Sequence, residues 1–275
     1  MKFRLIYPRW EKLPEQTTFN LPPHGPAVMA AALPAHVDVE FIDENLQRFS
    51  YDDPVDFVGI SMMLTTQVKR GWEIADEYRR RGKKVIFGGI SAMLHAEETL
   101  EHADALFLGE AEGRMEEVFT DFRNGDLKKV YNYLADPAPI ESVGPARRSI
   151  YKRDQYYYKG VQMVDLVHAS RGCRFNCYPC CVSYLGGRRF RPRPVDKVIA
   201  EMTGIDNNRL FIVDKQTLAV REAPAPGGYR WCTTACFSSS ELHHGEFHGD
   251  LAVEAEGRPR RFVLLDAEGA ERSRD

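Results

Sequence analysis

The residues best able to do chemistry lie between Arg171 and Cys181, in the stretch RGCRFNCYPCC. Cys173, Cys177 and Cys180 follow a C-x3-C-x2-C pattern, with Cys181 directly after. Three thiolates this close, on a loop closed by Gly172 and bent at Pro179, can grip one face of a metal cluster. Their softness favours an iron–sulfur cluster or zinc. A tetrahedral zinc site wants a fourth ligand, usually from a second pair. Here that ligand would be Cys181, which points away from Cys180. On a four-iron cluster, three ligands leave one iron open. The plainer alternative, three metal-free cysteines in a loop, fits this spacing after a strand less well.

The elements that must position this loop surround it. Val161 to His168 reads as a strand running straight into the cysteines. Arg188, Arg189, Arg191 and Arg193 follow it, and could pair with an anionic group or form a solvated turn. Pro194 suits the first turn of a helix. Val195, Val198, Ile199, Met202 and Ile205 then fall on one face. Arg209 to Val213 is the next strand, ending at Asp214.

Upstream, residues 1–135 alternate strand and helix signals. Apolar runs at Phe3 to Tyr7, Val37 to Ile42, Phe57 to Ser61, Val85 to Phe87 and Ala105 to Leu108 predict five strands. Helical stretches lie over Val68 to Arg81, Glu97 to His102 and Met115 to Phe122. This is the pattern of an α/β fold with an open, parallel, Rossmann-like (flavodoxin-like) sheet. Ligands of such sheets sit beyond the carboxyl ends of the strands. The loops there offer Ser61, Thr65 and Thr66, then Gly88 and Gly89, then Gly109 and Glu110. No G-x-G-x-x-G follows the first strand, which disfavours a dinucleotide. Residues 136–158, rich in Pro at first and then in tyrosine, read as a linker. The tyrosines between Tyr151 and Tyr158 suit packing between the two parts.

The cysteine spacing resembles the signature of the radical S-adenosylmethionine (SAM) enzymes. The resemblance implies that Cys173, Cys177 and Cys180 hold a [4Fe–4S] cluster whose open iron is chelated by SAM. That family cleaves SAM reductively to a 5′-deoxyadenosyl radical, with electrons from a donor such as flavodoxin or ferredoxin. Its usual aromatic residue just before the third cysteine is displaced here: Pro179 takes that position and Tyr178 stands one place earlier, as the candidate adenine contact. The four arginines become candidates for the SAM carboxylate. Asp214, after the second strand, becomes a candidate SAM contact. Residues 159–214 then match the start of the radical SAM partial (β/α) barrel.

The first domain resembles the cobalamin-binding domain found ahead of many radical SAM domains. Ser61, Thr65, Gly88, Gly89, Gly109 and Glu110 stand in the loops that would meet the cofactor. The family's D-x-H-x-x-G motif is absent. The first loop reads Pro22-Pro23-His24-Gly25, so no cobalt ligand is named and His24 is taken as an ordinary loop histidine. Together the resemblances imply a cobalamin-dependent, methyltransferase-like radical SAM enzyme.

The remaining 215–275 stretch does not continue the pattern. A full barrel needs roughly 200 residues, and about 60 follow Asp214. Breaker clusters and missing periodicity predict an irregular, disordered tail. The expectation is a truncated or frame-shifted sequence, whose incomplete barrel would leave the cluster loop solvent-exposed and the chain's activity an open question. Cys232 and Cys236, followed by His243, His244 and His248, could in principle form a zinc tract. A non-catalytic corrinoid-binding protein and a zinc-stabilised module stay open as alternatives.

The chain has 275 residues, 43% hydrophobic and 28% charged, with a net charge of −3. Such a balance gives no reason to expect a nucleic-acid partner or a membrane surface. The opening MKFRLIYP reads as a strand, not a signal peptide, and no apolar run nears the ~20 residues of a membrane span. All six cysteines lie after residue 172, which favours metal work in a reducing cytoplasm over a disulfide framework.

Overall fold

Strand β1 (Lys2–Tyr7) turns Phe3, Leu5 and Tyr7 to one side and Arg4 and Ile6 to the other, and both sides are buried. Helix α1 (His24–Ala31) follows, then β2 (Asp38–Asp43), β3 (Phe57–Ser61), α2 (Val68–Arg80) and β4 (Lys84–Gly88). Next come α3 (Ile90–Leu94), α4 (Ala96–His102), β5 (Ala105–Leu108), α5 (Met115–Asn124) and β6 (Val130–Asn132). The computed structural model describes residues 1–12, 20–175, 177–178, 180–207, 209–213, 251–255 and 258–262.

These six strands form one parallel sheet in the order β2-β1-β3-β4-β5-β6. The five strands legible in the sequence are joined by β6, which at three residues is too short to show a period. Sheets buried on both faces read as continuous apolar runs rather than alternating ones. One face packs on α2 and its neighbours through Ile6, Val58, Ile60, Ile74, Tyr78 and Phe87. The other packs through Phe3, Leu5, Phe57, Phe107 and Phe119. Helix α2 is amphipathic, burying Val68, Gly71, Ile74, Ala75 and Tyr78 along one stripe.

The strand order reverses between β1 and β3, and ligands of open α/β sheets gather at such a point. Gln67, fully buried, bolts the two loops there together. Its Oε1 accepts from the amides of Met63 and Leu64 at 2.8 and 2.9 Å, and its Nε2 donates to the Pro8 carbonyl at 2.6 Å.

The expected strand from Val161 to His168 is broken. Tyr157–Tyr158 (β7) and Val161–Gln162 (β8) fold back on each other as an antiparallel hairpin. The strand proper is β9 (Asp165–His168), which enters β10 (Ser170–Arg171). Then come α6 (Val182–Gly186), β11 (Arg191–Pro192), α7 (Val195–Thr203) and β12 (Leu210–Val213). Strands β9 and β12 pair in parallel, with Val198 and Met202 of α7 buried against Val167 and Leu210. This β-loop-α-β unit matches the expected start of a barrel. Its core is small, and it leans on the first domain. Tyr151 donates to the Pro23 carbonyl at 2.7 Å, and Tyr156 to Asp43 at 3.0 Å.

Further on, β13 (Leu251–Ala255) and β14 (Arg258–Phe262) pair as an antiparallel ribbon within the stretch expected to be irregular. No helix among the described residues is long and apolar enough to cross a membrane.

Candidate functional site

The cysteine loop is closed at its base by β10 and β11, which pair Ser170 with Pro192 and Arg171 with Arg191. Cys173 is buried, and its amide donates to the Gly187 carbonyl at 3.1 Å. Cys177 and Cys180 are exposed and share a tight turn, the Cys180 amide reaching the Cys177 carbonyl at 2.8 Å. Cys181, half-buried, precedes α6. All four are free thiols. No three His, Cys, Asp or Glu side chains among the described residues converge as they would around a single metal ion. Three soft sulfur donors on one loop are of the chemical type that an iron–sulfur cluster takes, with Cys173 buried and Cys177 and Cys180 exposed. Tyr178, beside them, is 98% exposed.

A cavity of about 380 Å³ opens beside this loop, at the carboxyl edge of the sheet. On the sheet side it is lined by Ser61, Gly88, Gly89, Gly109, Glu110 and Glu112. His168, Ser170, Arg171 and Gly172 line it on the cysteine-loop side. Its interior is apolar: Phe3, Leu5, Phe57, Phe107, Met115, Val118 and Phe119 line it, with Gly59 at the centre of β3. Val28 and Met29 of α1 cover it. Gly89 is there for a backbone reason. Its φ is +91°, and a Cβ would stand 2.5 Å from the Met62 carbonyl oxygen. Gly88 has ordinary geometry, and a Cβ there would meet nothing nearer than the Phe107 carbonyl at 4.0 Å.

Charge at this junction is tightly paired. Arg171 donates to Glu112 at 3.0 and 2.6 Å and lies 3.2 Å from Glu110. Burial opposes its charge, yet Glu112 and Glu110 hold the guanidinium above its usual pKa. Behind the cavity, Glu201 accepts from Arg193 at 2.8 Å and from Arg148 at 2.7 Å, both carboxylate oxygens being used. Asp165 accepts from Arg153 at 2.9 and 2.8 Å and from Asn207 at 2.9 Å. His24 lies buried at the start of α1, against His168, and burial followed by His168 and nearby arginines drives its pKa down to about 2.

Residues 16–119 match the family model of the B12 binding domain. The first part of the chain is therefore a cobalamin-binding-like domain. Over 167 residues the chain is 31% identical to the bacteriochlorophyllide d C-8(2)-methyltransferase of Chlorobaculum tepidum, covering 60% of this chain and 36% of that protein. The cobalamin-dependent S-adenosylmethionine radical enzyme OxsB superimposes with a TM-score of 0.60 at 14% identity, over 82% of this chain and 35% of its own. The radical S-adenosylmethionine methyltransferase TsrM from Kitasatospora setae does so with a TM-score of 0.55 at 18% identity, over 80% and 48%. The chain thus spans roughly a third to a half of the lengths it matches. The fold is that of these structures, an α/β parallel sheet followed by part of a radical SAM barrel.

Of the residues singled out in the sequence, Ser61, Gly88, Gly89, Gly109 and Glu110 meet at the cavity. Thr65 does not: it opens an exposed turn outside the lining. Asp214 lies outside the described residues, as do Pro179, Cys232, Cys236, His243, His244 and His248. Among the clustered arginines, Arg191 is held by Glu110 and Arg193 by Glu201. Sequence reading missed helix α1 and the cavity side of β9 and β10. The signal for α1 was present in HGPAVMAA, where Pro26 sits in the first turn and alanines follow. His24 belongs to that helix and not to a loop. Nothing local marked His168 or Arg171, which matter only because two distant loops meet there.

Proposed function

We propose that this chain carries the corrinoid cavity and cluster loop of a cobalamin-dependent radical SAM enzyme of the methyltransferase type. The observation that supports this best is a shared wall: Gly88 and Gly109 from the sheet and Arg171 and Gly172 beside Cys173 line one cavity. In this reading Cys173, Cys177 and Cys180 hold the [4Fe–4S] cluster. Tyr178 and Asp214 are the candidate SAM contacts, and the cavity receives the corrinoid tail between Gly88, Gly109 and α1. When bound, these cofactors supply an electron for SAM cleavage and a methyl group for transfer. The chain's own residues bind, orient and exclude water. The apolar interior desolvates what enters, and the exposed turn at Cys177 and Cys180 leaves a face open to a flavodoxin- or ferredoxin-like electron donor.

A second reading keeps the corrinoid cavity without catalysis. It is favoured by the thiols, of which Cys173 is buried while Cys177 and Cys180 are exposed, so that no three ligands converge on one centre among the described residues. Anaerobic reconstitution with iron and sulfide, followed by addition of SAM, a reductant and hydroxocobalamin, separates the readings. Four irons per chain that vanish in Cys173→Ala, Cys177→Ala and Cys180→Ala but survive in Cys181→Ala support the first reading, and deoxyadenosine formation completes it. Corrinoid binding without iron supports the second. Stoichiometric zinc lost with Cys181→Ala, and no iron, would replace both with a zinc-stabilised module.

A further inference from the structure

Arg171 and Arg191 are direct partners across the β10–β11 ribbon that closes the cysteine loop. Like charges opposite one another weaken a ladder, and a short two-stranded ribbon is marginal by itself. The compensating charge comes from another part of the chain. Glu112, on the loop after β5, accepts from both terminal nitrogens of Arg171. Glu110 lies 3.2 Å from Arg171 and accepts twice from Arg191, at 3.2 Å through Nη1 and more closely through Nη2. Side-chain exposure is 11% for Arg171, 10% for Glu112, 12% for Glu110 and 16% for Arg191. Solvent screening is therefore small, and removing the carboxylates would leave two facing positive charges without compensation.

The connection to the cysteines is short. Gly172 directly follows Arg171 with φ +73°, and its backbone lies so close to the Arg189 and Gly186 carbonyls that a Cβ would overlap them. Cys173 comes next, its amide tied to Gly187. Arg191 also donates to the Gly186 carbonyl at 3.2 Å and to Ala138 of the linker at 3.0 Å. Any splaying of the ribbon at Arg171 and Arg191 therefore displaces Gly172 and uncovers Cys173.

We propose that Glu110 and Glu112 are positioning residues for the cysteine loop: they neutralise the cross-strand arginine pair and so let the sheet domain set the place of Cys173. The consequence for a cluster rests on the function proposed above, but the clamp itself does not. Both carboxylates also belong to residues that line the cavity, so the loop that holds the ribbon is part of its wall.

The test uses the full chain without cofactors, kept anaerobic and treated with iodoacetamide. Alkylation at each cysteine is followed by peptide mass spectrometry, with exposed Cys177 as internal reference. In the Glu110→Gln/Glu112→Gln variant the rate at Cys173 relative to Cys177 is expected to rise about tenfold, as local opening becomes easier. Adding Arg171→Gln and Arg191→Gln to that variant removes the repulsion and should return the ratio most of the way to wild type. An unchanged ratio in the double variant overturns the proposal. So does a quadruple variant as reactive as the double, since loss of packing alone would give that result. If the double variant does not fold, Glu112→Gln alone carries the same comparison against Glu112→Gln/Arg171→Gln. Iron plays no part in this readout, so failure of the clamp and failure of the cluster assignment are seen separately.

Discussion

His24 and His168 meet edge to face, their ring centroids 4.3 Å apart, and so join the first turn of α1 to the last residue of β9. The contact is a seam between the sheet domain and the cysteine unit. His24 is buried there, facing His168, Arg148, Arg171 and Arg193, and stays neutral in the folded chain down to about pH 2. The unfolded chain protonates this histidine near pH 6.5. Stability from His24 is thus complete above that pH and declines below it, by up to about 1.4 kcal/mol per pH unit. Urea midpoints at pH 7.5 and 5 should fall more steeply in the wild type than in His24→Phe. Buried Asp43, whose carboxyl is pushed up by burial, works in the opposite sense and is common to both chains. Equal slopes would show that His24 is not held neutral.

Two adjacent glycines should respond differently to alanine. At Gly89, positive φ and the Met62 carbonyl leave no room, and Gly89→Ala should destabilise the fold by about 2–3 kcal/mol. At Gly88 a Cβ meets nothing nearer than the Phe107 carbonyl at 4.0 Å, so Gly88→Ala should leave the thermal midpoint in place. Its methyl would project into the cavity, and corrinoid binding should weaken about tenfold or more. Spectral titration with hydroxocobalamin beside thermal melts separates the two. Unaltered affinity in Gly88→Ala would remove the corrinoid from this wall.

Glu201 balances two arginines from different segments, half-buried Arg148 before the hairpin and buried Arg193 before α7. Glu201→Ala leaves Arg193 without its carboxylate and Arg148 with Asp165 alone, at 3.5 Å, and a loss of about 3 kcal/mol is expected. Denaturation followed by circular dichroism measures it. A loss below about 1 kcal/mol would mean that water reaches the pair freely.

The cavity's interior also predicts which corrinoid is taken. Phe3, Phe57, Phe107, Met115, Val118 and Phe119 present no hydrogen-bonding side chain. A purine as the lower base would bury ring nitrogens and an amino group without partners there, each costing about 1–3 kcal/mol. Cobalamin, with its dimethylbenzimidazole, should bind at least about tenfold more tightly than the adeninyl cobamide. Comparable affinities would place the base elsewhere, and no binding of either would end the corrinoid reading.

Much of the fold was legible because the signals were local. Five apolar runs of strand length, helical stripes such as that of α2, and the breakers between them follow from short-range sterics and burial. Strand β6 and the break between Gln162 and Asp165 were not legible. Three residues carry no period, and the pairing of Val161–Gln162 with Tyr157–Tyr158 takes the start of VQMVDLVH out of the strand that its pattern suggests. At the site, Gly88, Gly89 and Gly109 could be picked out by type and place after a strand. Thr65 shared those marks and still falls outside the cavity, because the turn it opens carries it to the surface.

The order of the sheet's elements, the thiol spacing at Cys173, Cys177 and Cys180, and the small residues at the strand ends are properties of the chain read one segment at a time. Which segments meet is not. That Glu112 holds Arg171 over 59 positions, that His24 lies on His168, and that one apolar hollow is walled by both parts were decided by tertiary packing alone. The reason is physical: periodicity reports which face of an element is buried, whereas charge pairing and cavity shape depend on what the fold brings opposite it.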